Sequence, residues 1–317
     1  MKKILVIGSS NTDLIAKVKA FPKAGETIEG LSFMQAMGGK GANQALAAHR
    51  LGGNVEFVTC LGDDANGKNT LEYYKNEGLN VSSSLVVSDV PSGTAMILVE
   101  ESGENCIVIT PGANHKLSPE YLLKNEKLIA DAEMVVLQME VPYKTVEAAC
   151  RIAYDYKTKV MLNVAPAREI EKNLLKMVDI LVVNETEAET ITGYKIEAIG
   201  EKAIIEKLQE MGAQTVVLTL GRKGCRMQNH NEGRYVKAFK VDTIDTTAAG
   251  DTFCGALSAR LSLGDNWESA LKFASAASAI CVTRMGAQPS VPTEKEVINF
   301  LETTNNVSDE QQIITIY

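Results

Sequence analysis

The sequence predicts an α/β fold in which a predominantly parallel central sheet carries helices on both faces and a small antiparallel β lid is added. Short runs rich in Val, Ile and Leu alternate with longer stretches of helical period, the pattern of βαβ units. Two segments punctuated by Pro and Gly, at 12–36 and 88–110, break that rhythm with apolar–polar alternation of their own. At 317 residues the chain suits one large domain over 1–303, followed by a polar tail at 304–317 that is expected to be loosely held.

The first strand is expected at 4–7. The Met-Lys-Lys before it is too short, and Asn11 and Asp13 follow too soon, for a signal peptide, so a cytoplasmic protein is expected. Further strands are expected at 55–61, 134–139, 160–164, 180–183 and 215–220, apolar runs of the kind that parallel sheets bury on both faces. Helices are expected near 41–51, 66–77, 118–130, 142–157 and 200–211, each ending near a Gly or a polar turn. Two more, near 249–263 and 266–284, have only Gly264 and Asp265 between them, so the second half is expected to close on helices. In the interrupting segments, the alternating stretches at 94–99 and 105–109 read as antiparallel hairpin strands, with Pro22, Gly25, Gly30, Pro91, Gly93 and Gly103 marking turns. A small sheet of this kind would be a lid or a dimer contact; decorated connections without function are the alternative.

The 45% hydrophobic and 23% charged content is ordinary for a soluble globular chain, and no apolar stretch approaches the roughly 20 residues of a membrane span. A formal net charge of −8 argues against a nucleic-acid surface, which needs clustered Lys and Arg. An anionic ligand must then be held by local fields from helix ends, loop amides and a metal ion. Cys60, Cys106, Cys150, Cys225, Cys254 and Cys281 form no C-x-x-C pair and are expected as buried thiols. His49, His115 and His230 stand at no ligand spacing, which leaves zinc and His-based triads without support.

The most informative segment is 245–257, which places Asp251 just after a small-residue turn opening an apolar helix. The first N–H groups of a helix are unpaired, and its positive end can hold a phosphate beside that carboxylate. Ala248, Ala249 and Gly250 leave the backbone open to a ligand. Phosphoryl transfer to a hydroxyl needs a base and donors for the moving charge. An Asp251 that merely complements the helix dipole is the alternative, and this segment alone leaves the two balanced.

Other glycine patterns carry less. Residues 62–69 nearly match a P-loop, but Asn69 stands where a hydroxyl should meet magnesium, and Asp63 and Asp64 stand where phosphates would lie, so that reading is rejected. The turn at 8–11 lacks the spacing of a dinucleotide fold. Residues 38–43, Gly-Gly-Lys-Gly-Ala-Asn, join a flexible turn to a helix start and bring Lys40 and the Asn43 amide to a site suited to a polyhydroxylated ligand. Asn11 and Asp13 leave the first strand at its carboxyl end, where open α/β sheets bind ligands, and one carboxylate can take two neighbouring hydroxyls. Taken singly, either motif reads slightly more readily as ordinary turn chemistry.

Together, the segments at 38–45, 184–187 and 245–253, with Asn11-Thr-Asp13 and the run 284–290, resemble in order the ribokinase family of carbohydrate kinases across 1–303. The resemblance implies a ribokinase-like fold and ATP-dependent phosphorylation of a sugar hydroxyl. Asp251 then corresponds to the catalytic base, and Ala248, Ala249 and Gly250 to the anion hole. Asn11, Asp13, Gly39, Lys40, Asn43 and Glu140 correspond to sugar contacts, and Asn184, Thr219, Gly221, Gly224 and Gly250 to the ATP site. Glu187 corresponds to a residue acting on hydrated Mg2+, which prefers oxygen ligands and keeps several waters; by itself it reads as a surface acid on a short helix. Asp245, the Thr247 carbonyl, Cys281, Arg284, Gly286 and Ser290 correspond to a loop for a monovalent cation, K+. Ser275 stands where relatives often carry Asn or His beside the adenine, which puts that contact in doubt. Asp13, the 38–43 segment and Glu140 favour ribose, phosphorylated at its primary hydroxyl. Kinases of deoxyribose, fructose, ketodeoxygluconate and nucleosides share the catalytic segment, and a non-catalytic sugar- or nucleotide-binding regulator is the reading from another class. A homodimer formed through the β lid is implied as well.

Overall fold

The computed structural model describes residues 2–305 and 313–316. β1 (Lys3–Ile7) is an interior strand of the main sheet, because Ile4 to Ile7 present apolar side chains to both faces and all four are fully buried. Ile4 and Val6 enter the core on one side of the sheet, Leu5 and Ile7 the core on the other, following the two-residue period of a strand. β2 (Asn11–Val18) and β3 (Ser32–Gly38) leave for the lid, and α1 (Lys40–Arg50) returns the chain to β4 (Asn54–Val58). β5 (Cys60–Gly62), α2 (Ala65–Asn76) and β6 (Leu85–Val87) precede the second pair of lid strands, β7 (Gly93–Glu100) and β8 (Asn105–Thr110). Alternation then becomes regular through α3 (Pro119–Lys124), α4 (Lys127–Ala130), β9 (Met134–Leu137), α5 (Tyr143–Tyr156), β10 (Lys159–Asn163), α6 (Lys172–Leu175) and β11 (Ile180–Asn184). It continues through α7 (Glu185–Thr192), α8 (Ile196–Ile199), α9 (Glu201–Glu210) and β12 (Thr215–Thr219). The hairpin β13 (Gly224–Gln228) and β14 (Gly233–Lys237) leads into α10 (Ala249–Leu263), α11 (Trp267–Cys281), α12 (Glu294–Asn305) and β15 (Ile313–Ile316).

Among the described residues the main sheet has the order β15-β14-β13-β12-β11-β10-β9-β1-β4. The strands from β4 to β12 pair in parallel, and β13, β14 and β15 extend the other edge antiparallel. Buried faces of α1, α10 and α11 cover one side, and those of α5 and α9 the other. The expected fold class is therefore observed. Carboxyl ends of β1, β10, β11 and β12 meet the amino ends of α1, α7 and α10 at one rim, where open α/β sheets bind ligands.

The lid is a sheet of order β3-β2-β7-β8. Its two outer pairs are antiparallel as expected, but β2 and β7 pair in parallel, so the two interrupting segments are zipped into one unit.

Several elements differ from expectation. The strand expected at 55–61 divides at Thr59, whose carbonyl accepts the Leu85 N–H at 2.8 Å, so that β4 stays in the main sheet while β5 pairs with β6. The helix expected at 118–130 breaks at Asn125, whose side chain donates to the Tyr121 carbonyl at 2.8 Å. α11 stops at Cys281, where the Thr283 and Arg284 N–H groups turn back to Ile280 and Cys281. The expected helices of the second half are present as α10 and α11, but the hairpin β13 and β14, not expected, precedes them. The hairpin buries Cys225, Met227 and Val236 between partly exposed charged neighbours, a single-faced pattern unlike the continuous apolar runs. α12 runs to Asn305, and Ile313–Ile316 pairs with β14 where a loose tail was expected; 306–312 and 317 lie outside the described residues. Five of the cysteines are buried thiols, but Cys106 lies exposed on β8, an edge strand of the lid. Among the described residues no helix is long and apolar enough to cross a membrane.

Candidate active site

α10 begins without a side-chain cap, and its N-cap Ala248 holds φ at 58°, a left-handed conformation that turns the small-residue run sharply into the helix. The Ala249 N–H leans back to the Thr246 carbonyl at 3.3 Å, and the Thr252 N–H makes the bond to Ala248 O at 2.8 Å. A Cβ placed on Gly250 would meet nothing within 4 Å, so the mouth of the helix is open. It opens into a cavity of about 200 Å³ lined by Lys40, Asn184, Glu187, Thr219, Gly250 and Asp251, among others. A groove of about 630 Å³ near Lys223 and α9 contains none of the predicted site residues, and two of its bases pair with its own acids, Lys223 with Glu185 and Arg226 with Glu201. The rejected P-loop is filled from within, since Asp64 accepts the Gly67 N–H at 2.7 Å at the start of α2.

Asp251 is buried at this mouth, and both its oxygens are held by amides. Asn43 Nδ2 donates to Oδ2 at 2.9 Å and Gln44 Nε2 to Oδ1 at 3.0 Å. Asn43 in turn accepts from Gln288 Nε2 at 3.2 Å, while Gln44 also reaches Asn163 Oδ1 at 3.0 Å and accepts from Gln138 at 2.7 Å.

On the lid side, Asp13 is buried beside two other carboxylates. Burial first, then Glu140 and Asp251, push its pKa from 3.8 up to about 7, against the pull of Lys40. Lys40 responds oppositely: Asp251 above all, with Glu140 and Glu187, holds its ammonium protonated more firmly than usual despite burial. Gly38 is required here because a Cβ would overlap the Asp13 carboxylate, and Gly39, at φ 90°, lies where a Cβ would meet the Asn11 N–H and Ser10 Cα at 2.8 Å. Glu140 accepts from Ser9 Oγ at 2.6 Å and from the Lys40 backbone N–H at 3.0 Å, which ties the end of β9 to the first turn of α1. Asn11 Oδ1 accepts from Asn114 Nδ2 at 2.8 Å.

On the opposite side, Asn184 and Glu187 form a reciprocal capping box at the start of α7, with bonds of 2.8 Å each way. Glu187 is buried, not a surface acid, and burial raises its pKa above its ordinary value. Thr219 stands opposite Asn184 in the register of β12 and β11. Gly221 and Gly224 lie in the next turn, closed by the Leu220 N–H on Gly224 O at 2.8 Å, and do not line the cavity. Gly221 has open space around it, whereas a Cβ on Gly224 would overlap the Val236 carbonyl. Ser275 Oγ lies 3.7 Å from Cys225 Sγ, behind that turn.

Behind the helix mouth, Asp245 accepts from the Thr247 N–H at 2.9 Å and hydroxyl at 2.6 Å, and from the Gly286 N–H at 2.9 Å. Cys281 Sγ sits 3.0 Å from Ser290 Oγ and 3.7 Å from Thr247 O. Two segments distant in sequence are thereby joined under the turn that opens α10. Arg284 turns its guanidinium away to Glu296 at 2.5 Å, so only its backbone is available to this loop.

A model of the pfkB family carbohydrate kinases matches residues 1–294. The chain belongs to that family. It is 41% identical over 304 residues to a ribokinase of Haemophilus influenzae, covering 95% of this chain and 99% of that protein. It is 35% identical over 300 residues to a deoxyribokinase of Salmonella typhimurium, covering 94% and 98%. Among solved structures, Arabidopsis thaliana ribokinase complexed with ribose and ATP superposes with a TM-score of 0.90 at 32% identity, covering 95% of this chain and 99% of that one.

This pfkB-family chain has further polar residues around the site that the sequence reading does not single out: Ser9, Gln44, Asn114, Gln138 and Asn163. Gln44 and Gln138 are fully buried in contact with Asp251 or its partners. Gln44 sits within the glycine-rich segment already recognised, and only its neighbourhood to Asn43 hinted at a role.

Proposed function

We propose that this chain transfers the γ-phosphoryl group of ATP to the primary hydroxyl of D-ribose, giving ribose 5-phosphate, in the cytoplasm. The observation that carries the proposal is the place of Asp251: it lines the cavity shared with Asn184, Glu187, Thr219 and the open helix mouth, and its charge also bears on Asp13. A base so placed can accept the proton of a sugar hydroxyl held on the lid side while the phosphate lies on the other. Asp13, with Asn11, Gly39, Lys40, Asn43 and Glu140, holds the sugar. Asn43 has one N–H committed to Asp251, and its second remains for a hydroxyl.

Asn184, Thr219, Gly221 and Gly224 hold ATP, and the amides at Ala248, Ala249 and Gly250 face the negative charge that moves during transfer. Lys40 adds a fixed positive charge between the two halves. Among the described residues no three His, Cys, Asp or Glu side chains cluster as a direct metal cage. The buried oxygens of Glu187 fit Mg2+ held mainly through water and phosphate, which would neutralise charge on the phosphates when bound. Oxygens of Asp245 and of the Thr247, Cys281, Arg284, Gly286 and Ser290 backbone are the donors for K+, a hard-ligand set suited to such an ion. The lid turns Phe33, Met96 and Val108 outward on the side opposite Asp13, and this exposed apolar face is the dimer contact.

The test is kcat/KM for ATP-dependent phosphorylation of ribose, 2-deoxyribose, fructose, ketodeoxygluconate and nucleosides. Ribose should rank first. A higher value for 2-deoxyribose would instead assign the chain to deoxyribose phosphorylation.

A further inference from the structure

An amide chain runs behind Asp251, and of its members Gln44, Gln138 and Asn163 only Asn163 lines the cavity. Gln44 donates one N–H to Asp251 Oδ1 and the other to Asn163 Oδ1, each at 3.0 Å, and its carbonyl accepts from Gln138 at 2.7 Å. Acceptors at both ends set the direction of this chain. Asp251, when ionised, only accepts, and the Val182 carbonyl takes Asn163 Nδ2 at 3.1 Å, which forces the Asn163 oxygen toward Gln44. The NH2 of Gln44 can therefore face Asp251 in one orientation only.

The surroundings are shaped to this chain. Gly8 leaves room for the Gln138 side chain, since a Cβ there would overlap Gln138 Oε1, an oxygen with no hydrogen-bond partner of its own. A fully buried chain of amides is costly unless its bonds are made, and an apolar side chain would fill the same space without that requirement. Asn163 ends β10 and Gln138 follows β9, so the chain connects Asp251 to the rigid sheet across α1.

We propose that Gln44 is a positioning residue that aims the Asp251 carboxylate at the acceptor hydroxyl, with Asn163 and Gln138 fixing its own amide. The proposal rests on Asp251 being the base. Misplacement of a reacting group by about 1 Å can cost ~10²-fold in rate, so loss of this support should appear in turnover more than in binding. Gln44→Met keeps the length and volume and removes both donors; Gln44→Asn keeps an amide one methylene short of Asp251.

The experiment is a double-mutant cycle in full-length protein, with kcat and KM for ribose and ATP measured for Gln44→Met, Gln44→Asn, Asp251→Asn and each combined variant. Each Gln44 variant should lose about 10- to 100-fold in kcat with KM values within about threefold of the parent. In the Asp251→Asn background the same changes should alter residual kcat by less than about twofold. Equal losses in both backgrounds, or Gln44 variants with parental kcat beside an inactive Asp251→Asn, would overturn the positioning role alone. Near-parental turnover by Asp251→Asn would instead remove the base assignment, and this role with it. Should Gln44→Met fail to fold, the Gln44→Asn cycle gives the same decision.

Discussion

Asp251 and Asp13 are both buried carboxylates, yet their surroundings give them different work. Asp251 is gripped by two amide donors, one on each carboxylate oxygen. Asp251→Asn should lower kcat with ribose by about 10²–10⁴-fold while ribose still binds, measured by steady-state kinetics and by calorimetric titration. Asp13 has its pKa raised from 3.8 to about 7 by burial and by neighbouring carboxylates. The folded, ligand-free state thus binds a proton on Asp13 that the unfolded chain has lost, so this residue destabilises the fold increasingly as pH rises through that interval. Asp13→Asn should raise the Tm of the ligand-free protein at about pH 8, by an amount that shrinks as pH falls toward about 4, while weakening ribose binding far more than ATP binding. A variant with no gain in Tm at high pH would contradict the burial argument. Asp251 and Asp13 were singled out in the sequence only when their segments were read together in order, because each alone reads as well as helix-end or turn chemistry. Gln44, Gln138 and Asn163 were not, because an isolated buried amide declares itself only when the fold brings its partners within hydrogen-bond distance.

At the scale of elements, the site depends on turns held by residues far away in sequence. Asp245 joins the Thr247 turn to Gly286, and the Thr247 turn leads directly into the amides of Ala249 and Gly250. An ion on the oxygens of this loop would fix those amides without touching substrate. Replacing K+ by a large organic cation at constant ionic strength should therefore lower kcat more than it raises the KM for ribose. Asp245→Ala should make the rate indifferent to that exchange, and a parent enzyme with equal rates in both salts would exclude the loop from the mechanism. The parallel strands were legible because they are continuous apolar runs, buried on both faces. β13 and β14 escaped since Arg226, Arg234 and Lys237 interrupt their apolar residues.

Across the whole molecule, the parallel pairing of β2 with β7 makes the lid a single unit joined to the main sheet near Asn11 and Gly38. Its outward face exposes Phe33 at 66% and Val108 at 54%, more apolar surface than a water-facing sheet needs. The proposed lid dimer predicts that the parent runs as a dimer and Phe33→Glu combined with Val108→Lys as a monomer in size-exclusion chromatography with light scattering; a monomeric parent or a dimeric variant would contradict it. The lid strands were legible from their alternation and turn residues, but their mutual pairing was not, because register between distant strands leaves no local signal. The same holds for Ile313–Ile316, whose place beside β14 is set by a neighbour about 80 residues earlier. The most direct test of the central claim is a stoichiometric assay of the intact protein with ATP, Mg2+ and K+, with and without ribose, in which ADP and the phosphorylated sugar are both quantified. The account predicts one ribose 5-phosphate for each ADP and negligible ATP consumption without sugar; ATP consumption independent of ribose, or a product phosphorylated at another hydroxyl, would contradict it.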